Sequence, residues 1–317
     1  MSPRRILVER FNADLLAWLR ERAEVVVVDP WSEPERWEAE APAVDAVISR
    51  KGRITRSLIE KSGGRLKIVA RTGVGFDASR IDLDAAREHK VWVTNMPGSN
   101  AAAVAELTLG QMVALARHTV KADQAVKANR WSDYLKFTGC ELAGKTLGIV
   151  GMGNIGVRVA LRARAFEMAL LVYDPYIPAS HVTALGGRCV PLEELFAEAD
   201  FVTLHCPFNK ETRHMIGEGQ LARMKKTAFL VNLARGGVVD EEALHELLAQ
   251  KRIAGAAIDV LQTEPPRTDH PLLGLDNVLF TPHIGGSTRE AQKRGEWGAA
   301  EEVVRVLEGK TPRNPVR

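Results

Sequence analysis

The chain has 317 residues, of which 45% are hydrophobic and 26% charged, and this composition is typical of an ordinary soluble globular protein with room for two domains. Its net charge is only +3, its basic residues are scattered among acidic ones, and no apolar stretch is long enough to cross a bilayer, so we expect neither a nucleic-acid nor a membrane partner. Cys140, Cys189 and Cys206 have no CxxC or CxxH spacing, which predicts no disulfide framework and no metal site and favours a reducing, cytoplasmic setting.

Short β-branched runs alternate with helical patterns along the whole chain. The first series of predicted strands is "RILVE", "EVVVVD", "AVISR", "LKIVAR" and "VWVTN", with helical stretches such as "DLLAWLRERA" and "TRSLIEKSG" between them. The second series is "TLGIVG", "ALLVYD", "DFVTLHC", "AFLVNLA", "AGAAIDV" and "NVLFTP". Because nearly continuous apolar strands alternate with helices, we predict an α/β protein with two parallel sheets, each covered on both faces.

The join between the two units falls near "NMPGSNAAAVAELTLGQMVALARHTVKADQAV". Pro97 and Gly98 end the preceding strand, Ser99 or Asn100 can cap a helix, and one long helical pattern follows. A second helical stretch, "STREAQKRGEWGAAEEVVRVLEG", runs toward the end of the chain and could return to the first unit. We therefore predict one domain made of residues 1–98 and 286–317 and a second domain, residues 99–285, inserted into it.

A glycine-rich turn opens the second series of strands. In "KTLGIVGMGNIGVRVALRARAF", Gly151, Gly153 and Gly156 form G-x-G-x-x-G directly after an apolar strand and at the start of a helix. The first glycine permits a tight turn, the second lets the backbone approach a pyrophosphate, and the third allows the helix to pack closely on the strand. The N-terminus of the helix then offers N–H groups to the phosphates. This context predicts a dinucleotide site.

Asp174 ends the next strand, in "LLVYDPY", where the dinucleotide fingerprint needs an acidic residue. A carboxylate there accepts hydrogen bonds from ribose hydroxyls and repels a 2′-phosphate. The next residues are Pro175 and Tyr176, so no arginine follows to receive that phosphate. The sequence therefore favours NAD over NADP.

Three later strands end in chemically useful side chains, in "VNLARGGVVDEEAL", "AAIDVLQTEPP" and "NVLFTPHIGGST". Ligands of open α/β sheets bind at the carboxyl ends of the strands, which is where Arg235, Glu264 and His283 are predicted to lie. Histidine can take the hydroxyl proton of a 2-hydroxy acid, a neighbouring carboxylate can orient the imidazole, and an arginine can bind the substrate carboxylate or polarise a keto oxygen. The three groups together predict an oxidoreductase.

The chain also resembles the D-isomer-specific 2-hydroxyacid dehydrogenases, and within them the phosphoglycerate dehydrogenase branch. The resemblance is carried nearly end to end by "RTGVGFDASRIDL", "PGSNAAAVAELT", "ELAGKTLGIVGMGNIG", "VNLARGGVVDEEAL", "IDVLQTEPP" and "TPHIGGST". It implies a Rossmann NAD-binding domain inserted into a flavodoxin-like substrate domain, both doubly wound, with catalysis in the cleft between them. It also implies that His283 is the acid/base, Glu264 its partner and Arg235 the substrate-binding arginine, and that the protein is a homodimer.

The resemblance implies further contacts with the cofactor and the substrate. Val74 and Gly75 match the loop whose backbone N–H groups hold the substrate carboxylate. Asn154 and Ile155 match residues whose backbone meets the pyrophosphate. Other positions that line the NAD site in the resembling enzymes are matched here by Val74, Cys206, Thr212, Leu233, Ala234, Asp259, Gly285 and Gly286, beside Arg235 and His283 themselves.

The substrate within this family is open from the sequence. A phosphorylated substrate needs several cations, which Arg50, Lys51 and Arg71 could supply at the ends of first-domain strands. In "RWSDYLKFTGC", where the resembling enzymes carry more positive charge, Lys136 comes after a segment one residue longer. Candidates are 3-phosphoglycerate, glycerate, glyoxylate, hydroxypyruvate or a sulfonated hydroxy acid. Because the chain ends at Arg317, control by a serine-binding regulatory domain is not expected.

Two alternatives of different kinds stay open. One is another reaction on the same fold: glutamate at position 264 argues against formate oxidation, which pairs the histidine with glutamine, whereas phosphite oxidation uses a similar Arg/Glu/His set. The other is an NAD-sensing binding protein without catalysis, like the transcriptional corepressors that share this fold. The sequence lacks extensions beyond the catalytic core, which disfavours the sensor.

Overall fold

The computed structural model describes residues 4–75 and 81–316, and these residues form two compact units. The first unit ends at Asn100 and resumes at Ser287, and the second comprises Ala101–Gly286. The predicted substrate loop is described up to Gly75, and the part of "RTGVGFDASRIDL" at 76–80 lies outside the described residues.

The first unit contains a parallel sheet of five strands in the order β2-β1-β3-β4-β5. Its strands are β1 (Arg5–Val8), β2 (Glu24–Val27), β3 (Ala46–Ser49), β4 (Ile68–Arg71) and β5 (Trp92–Thr94). This is the flavodoxin-like strand order of a doubly wound sheet. The central strands β3 and β4 are buried along their whole length, as the continuous apolar runs predict.

The helices of the first unit cover both faces of this sheet. They are α1 (Ala13–Arg20), α2 (Pro34–Ala39), α3 (Arg56–Lys61), α4 (Leu83–Glu88) and the last helix of the chain, α12 (Arg289–Leu307), with a 3₁₀ turn at Ala41–Ala43. Helix α12 begins where Thr288 accepts a hydrogen bond from the Ala291 N–H, and its Ala299, Ala300 and Val303 pack in one core with Ile48 and Ile68. The C-terminal stretch therefore contributes directly to the core of the first unit.

The second unit contains a parallel sheet of seven strands in the order β12-β11-β10-β9-β6-β7-β8. Its strands are β6 (Thr146–Val150), β7 (Ala169–Tyr173), β8 (Arg188–Cys189), β9 (Phe201–Leu204), β10 (Phe229–Asn232), β11 (Gly255–Ile258) and β12 (Val278–Phe280). The six strands that begin with β6 follow the Rossmann order, with one strand added at the β11 edge. The order reverses between β6 and β9, and the glycine turn follows β6 at this switch point. The predicted fold class is confirmed.

The helices of the second unit are α5 (Ala101–Ala116), α6 (Thr119–Lys127), α7 (Asn154–Ala165), α8 (Ala179–Ala184), α9 (Leu192–Glu198), α10 (Glu218–Leu221) and α11 (Glu241–Ala249), with 3₁₀ turns at Trp131–Phe137, Gly236–Val238 and Pro271–Gly274. The prediction of a single long helix after Asn100 is wrong, because the segment forms the two helices α5 and α6. His118 has φ 52°, in the left-handed region, and this turns the chain between α5 and α6.

Candidate active site

The carboxyl ends of β10, β11 and β12 lie side by side at one edge of the second sheet, and each is followed by one predicted catalytic residue. His283 Nδ1 and Glu264 Oε2 are 2.6 Å apart, so the predicted pair of histidine and carboxylate is present. The side chains stay in contact with solvent, with exposed fractions of 51% for His283 and 36% for Glu264. Because Nδ1 is engaged by the carboxylate, Nε2 is the ring nitrogen that can exchange a proton with a substrate.

The electrostatic environment of Glu264 keeps its carboxylate charged. Burial raises the pKa of Glu264, but the hydrogen bond and the charge of His283, the N–H of Leu261 and the charge of Arg235 together outweigh burial and lower that pKa below its usual value. The Leu261 N–H donates to Oε1 at 3.1 Å, on the side of the carboxylate away from the histidine. Glu264 is therefore ionised at neutral pH and can stabilise a protonated imidazole.

His283 sits in a loop that a buried carboxylate holds in place. Asp259, only 3% exposed, accepts hydrogen bonds from the Thr281 hydroxyl at 2.6 Å, the Ile284 N–H at 2.9 Å and the Gly285 N–H at 2.8 Å. The His283 N–H donates to the Asp259 carbonyl at 2.8 Å, and His283 has φ 52°, a conformation that non-glycine residues seldom adopt. The structure shows that the Asp259 carboxylate organises the histidine loop, and its place in the NAD site stays a prediction.

Arg235 lies in a turn that packs against the loop after β11. The Asn232 side chain braces this turn, since its Nδ2 donates to the Arg235 carbonyl at 3.1 Å and its Oδ1 accepts the Ala234 N–H at 3.0 Å. A Cβ on Gly236 would lie 2.0 Å from the carbonyl carbon of Leu261, so only glycine allows this approach. The close contact brings the Arg235 turn beside the loop that carries Glu264.

Each glycine of the turn after β6 has a different environment. Gly151 has φ 94°, and a Cβ there would lie 2.8 Å from the Cys206 nitrogen. A Cβ on Gly156 would lie 2.2 Å from the Gly151 carbonyl oxygen, so this glycine lets α7 pack against the end of β6. A Cβ on Gly153 would meet nothing within 4 Å. The open space over Gly153 lies at the N-terminus of α7, where Asn154 and Ile155 begin the helix and where N–H groups can meet a phosphate.

Asp174 lies directly after β7, beside the glycine turn. Its carboxylate accepts the Met152 N–H at 2.8 Å and the Tyr176 N–H at 2.9 Å, which fixes its orientation at the strand end. The glycine turn, the start of α7 and this carboxylate together fit the pyrophosphate and ribose of a dinucleotide.

His205 and Cys206 follow β9 and lie against the glycine turn, and both side chains are uncharged at neutral pH. Burial raises the pKa of the Cys206 thiol to about 11, and burial lowers the pKa of His205 to about 3. His205 Nε2 lies 3.0 Å from the Thr203 hydroxyl, and its Nδ1 is buried without a hydrogen-bond partner. Cys206 is thus a packing residue of the predicted cofactor site rather than a nucleophile. His205 was not singled out because it lies outside the motifs that carry the resemblance.

The remaining cofactor positions predicted in the second unit follow β9, β10 and β12 at the carboxyl edge of its sheet, and they are Thr212, Leu233, Ala234, Gly285 and Gly286. Leu233 and Ala234 are buried after β10, and Gly285 lies against the Asp259 carboxylate. Thr212 lies in the exposed loop after β9, where its hydroxyl donates to the Pro207 carbonyl at 2.7 Å.

The predicted substrate cations of the first unit lie at the ends of β3 and β4, and each has partners there. Arg50 forms an ion pair with Glu296 of α12. Lys51 Nζ lies 5.6 Å from the centre of the Trp31 ring, and buried Arg71 lies 3.4 Å from the Ser49 hydroxyl. The Val74 carbonyl accepts a hydrogen bond from the Asn95 side chain at 2.8 Å.

Lys136, the remaining candidate cation, lies 2.8 Å from Asp133 within the second unit. Within residues 4–75 and 81–316, no group of three or more His, Cys, Asp or Glu side chains could hold a metal ion, and no helix is long and apolar enough to span a bilayer. The three cysteines are unpaired thiols.

Comparison with known sequences identifies the second unit. The sequence model described as "D-isomer specific 2-hydroxyacid dehydrogenase, NAD binding domain" matches residues 109–285. A D-3-phosphoglycerate dehydrogenase of Methanocaldococcus jannaschii is 44% identical over 98% of this chain and 59% of its own length. A hydroxypyruvate reductase of Thermotoga maritima is 42% identical over 91% of this chain and 93% of its own length. The chain thus spans about three fifths of the first relative and nearly all of the second.

A solved structure has the same architecture over the whole chain. The crystal structure of the TT0316 protein from Thermus thermophilus superposes with a TM-score of 0.88 and 37% sequence identity, covering 99% of this chain and 100% of that one. The two sheets and the helices described above therefore match an experimentally determined fold.

Proposed function

The chain belongs to the D-isomer-specific 2-hydroxyacid dehydrogenase family, and we propose that it interconverts a small D-2-hydroxy acid and the corresponding 2-keto acid with NAD(H). The observation that carries this proposal is the contact of 2.6 Å between His283 and Glu264, next to the Arg235 turn at the carboxyl edge of the second sheet. A base, its orienting carboxylate and a carboxylate-binding arginine are the groups that this oxidation requires.

The roles of the three side chains follow from their chemistry. In oxidation, the His283 imidazole takes the proton of the substrate hydroxyl while the C2 hydrogen leaves as hydride, and the C2–O bond becomes a carbonyl. Bound NAD supplies the hydride acceptor. Glu264 holds the imidazole by Nδ1 and stabilises the positive charge that it gains. Arg235 binds the substrate carboxylate, and in the reverse reaction it also polarises the keto oxygen.

The cofactor site that we propose uses the glycine turn for the pyrophosphate and Asp174 for the adenosine ribose. The N-terminus of α7 meets the phosphates, and the fixed carboxylate of Asp174 selects NAD against NADP because it repels a 2′-phosphate. The other positions assigned to NAD or the substrate by resemblance, including Val74 and Gly75, stay predictions.

The proposed function is tested with the purified chain of 317 residues by following NADH absorbance. A panel of 2-keto acids is offered with NADH, and D-2-hydroxy acids and phosphite are offered with NAD. We expect turnover with at least one small 2-keto acid and a preference for NADH over NADPH. Tight NADH binding without turnover on any compound would instead support the sensor, and turnover on phosphite alone would support phosphite oxidation.

We further propose a homodimer formed through the second unit. The surface of α6 and the following 3₁₀ turn exposes five large apolar residues, among them Trp131 at 74% and Leu135 at 69%. Exposed apolar side chains concentrated in one segment favour an interaction site. Light scattering during gel filtration should give twice the chain mass, and Leu135→Glu should shift it toward the monomer; a monomeric wild type would contradict the proposal. The cytoplasmic setting stays a prediction.

A further inference from the structure

The loop that carries Glu264 in the second unit is hydrogen-bonded at both of its ends to one carboxylate. Glu241 is the first residue of α11, and its Oε1 accepts the Gln262 N–H at 2.7 Å. Its Oε2 lies 3.1 Å from Nε2 of His270. Gln262 and His270 flank the segment 263–269, so Glu241 joins the two ends of the short stretch that presents Glu264.

The contact between Glu241 and His270 is largely removed from solvent. The two side chains are only 16% and 19% exposed, respectively. His270 Nδ1 is buried and has no hydrogen-bond partner among the residues that the structure describes. With its hydrogen on Nε2, the ring donates to Glu241 and leaves a lone pair, rather than an N–H, unpaired in the interior. The contact therefore has a defined direction, from the imidazole to the carboxylate.

The segment between these two contacts is exposed, whereas its flanks are packed. Of residues 263–269, all but Pro266 are exposed to solvent. After the segment, Leu272 is fully buried in the same core as the apolar face of α11. Before it, a Cβ on Gly236 would lie 2.2 Å from the Gln262 nitrogen. Packing thus fixes both flanks, and the carboxylate at the start of α11 connects them across the exposed segment.

Resting on the function proposed above, we propose that Glu241 is a positioning residue for the acid/base reaction. Its carboxylate, together with His270, holds the loop so that Glu264 stays within hydrogen-bond distance of His283. A displacement of about 1 Å at a reacting group can cost about 10²-fold in rate, so such a contact supports catalysis without touching the substrate. The distance that it controls is the 2.6 Å between Glu264 and His283.

The main test is Glu241→Ala, assayed by steady-state NADH oxidation with whichever of glyoxylate, hydroxypyruvate and 3-phosphohydroxypyruvate the wild type reduces fastest. We expect kcat to fall about tenfold or more, because Glu264 is displaced. The variant keeps both Glu264 and Arg235, whose charges act at this site. Because a displaced Glu264 stabilises protonated His283 less, reduction should also begin to fall at a lower pH than in the wild type. A folded variant with the wild-type rate and pH profile would overturn the proposal.

A double-mutant cycle shows whether Glu241 acts through Glu264. In Glu264→Ala the loop has no carboxylate to present, so the further replacement Glu241→Ala should lower kcat by less than about twofold instead of about tenfold. A loss of stability alone would leave the two effects independent, and they would multiply. A further tenfold loss in the double variant would therefore remove Glu241 from this role.

His270→Ala tests one end of the loop alone and serves if Glu241→Ala does not fold. It keeps the contact between Glu241 and Gln262, so kcat and the pH profile should move in the same direction as in Glu241→Ala, but by a smaller amount. In the Glu264→Ala background it should have almost no further effect on kcat. If a folded His270→Ala changes neither the rate nor the pH profile, the loop is not held from both ends and the proposal fails.

Glu242→Ala is the matched control. Glu242 is exposed in the same first turn of α11, so its replacement removes an equal charge from the same helix terminus. Its kcat should stay within about twofold of the wild type, with an unchanged pH profile. The two proposals fail differently. If the wild type reduces no keto acid, the dehydrogenase assignment fails and the role of Glu241 fails with it; if the wild type is active and Glu241→Ala behaves like Glu242→Ala, only the role of Glu241 fails.

Discussion

His283 has the geometry of an acid/base, and removal of its imidazole tests that role. We expect His283→Asn to lower kcat by about 10²–10⁴-fold, the usual contribution of a general acid or base. Asparagine tolerates the left-handed conformation found at this position, so the loop should keep its shape. The measurement is steady-state NADH oxidation, with a melting curve of the variant to show that it is folded. His181→Asn, at an exposed position on α8, is the control.

Replacement of Glu264 is a separate test, because it should change the pH dependence of keto-acid reduction as well as its rate. Its lowered pKa keeps the carboxylate ionised through the neutral range, where it stabilises a protonated His283. Reduction of a keto acid needs that protonated form. In Glu264→Gln, the rate of reduction should therefore begin to fall at a lower pH than in the wild type, while oxidation loses less at neutral pH. A profile that keeps its wild-type midpoint would separate Glu264 from the proton transfer.

The residues of the site differ in how well the sequence predicts them. His283 and Glu264 follow neighbouring strands, so the rule that strand ends share an edge was enough to bring them together. The ion pair of Arg50 and Glu296 spans 246 positions and depends on where α12 packs. From the sequence, a glutamate in a helix rich in charged residues is predicted to be exposed to solvent. Only the packing of Gly295 against Thr72 reveals that Glu296 lies beside the loop that follows β4.

At the scale of the elements, two glycines of the turn between β6 and α7 are expected to have different roles. Gly156 is needed for folding, and Gly153 is needed for binding NADH. Gly156→Ala would press a Cβ against the Gly151 carbonyl oxygen and should destabilise the protein by about 1–3 kcal/mol, the usual cost of overpacking. Gly153→Ala meets no protein atom, so it should leave the thermal midpoint nearly unchanged and yet weaken NADH binding. Melting curves and NADH titrations of both variants make the comparison. Equal binding by Gly153→Ala and the wild type would place the pyrophosphate elsewhere.

The elements that the sequence predicts well are those with a continuous apolar pattern. The runs that were read as strands all contain strands, because a strand buried between two layers of helices must be apolar along its length. Strand β8 was missed because its two residues, Arg188 and Cys189, are exposed and give no such pattern. The turn at His118 was missed for a related reason, since neither glycine nor proline marks it.

At the scale of the whole molecule, the buried ring of His205 predicts how the stability depends on pH. Its pKa is about 3 in the folded protein and near the ordinary 6.5 in the unfolded chain, so below pH 6.5 the unfolded chain binds a proton that the folded protein does not. The contribution of this group to stability is complete above pH 6.5 and is lost as the pH falls toward 3. From about pH 7.5 to about pH 5.5 the loss is about 1.4 kcal/mol, the equivalent of one pKa unit.

Urea unfolding at these two pH values, followed by the fluorescence of the tryptophans, measures this loss against the background of all other titrating groups. The difference between wild type and His205→Gln isolates the contribution of one ring, because glutamine does not titrate. We expect the wild type to lose about 1.4 kcal/mol more than the variant on acidification, whatever the absolute stability of the variant. If both lose the same amount, the ring is protonated in the folded protein, and its orphaned Nδ1 then finds a partner through a rearrangement at the end of β9.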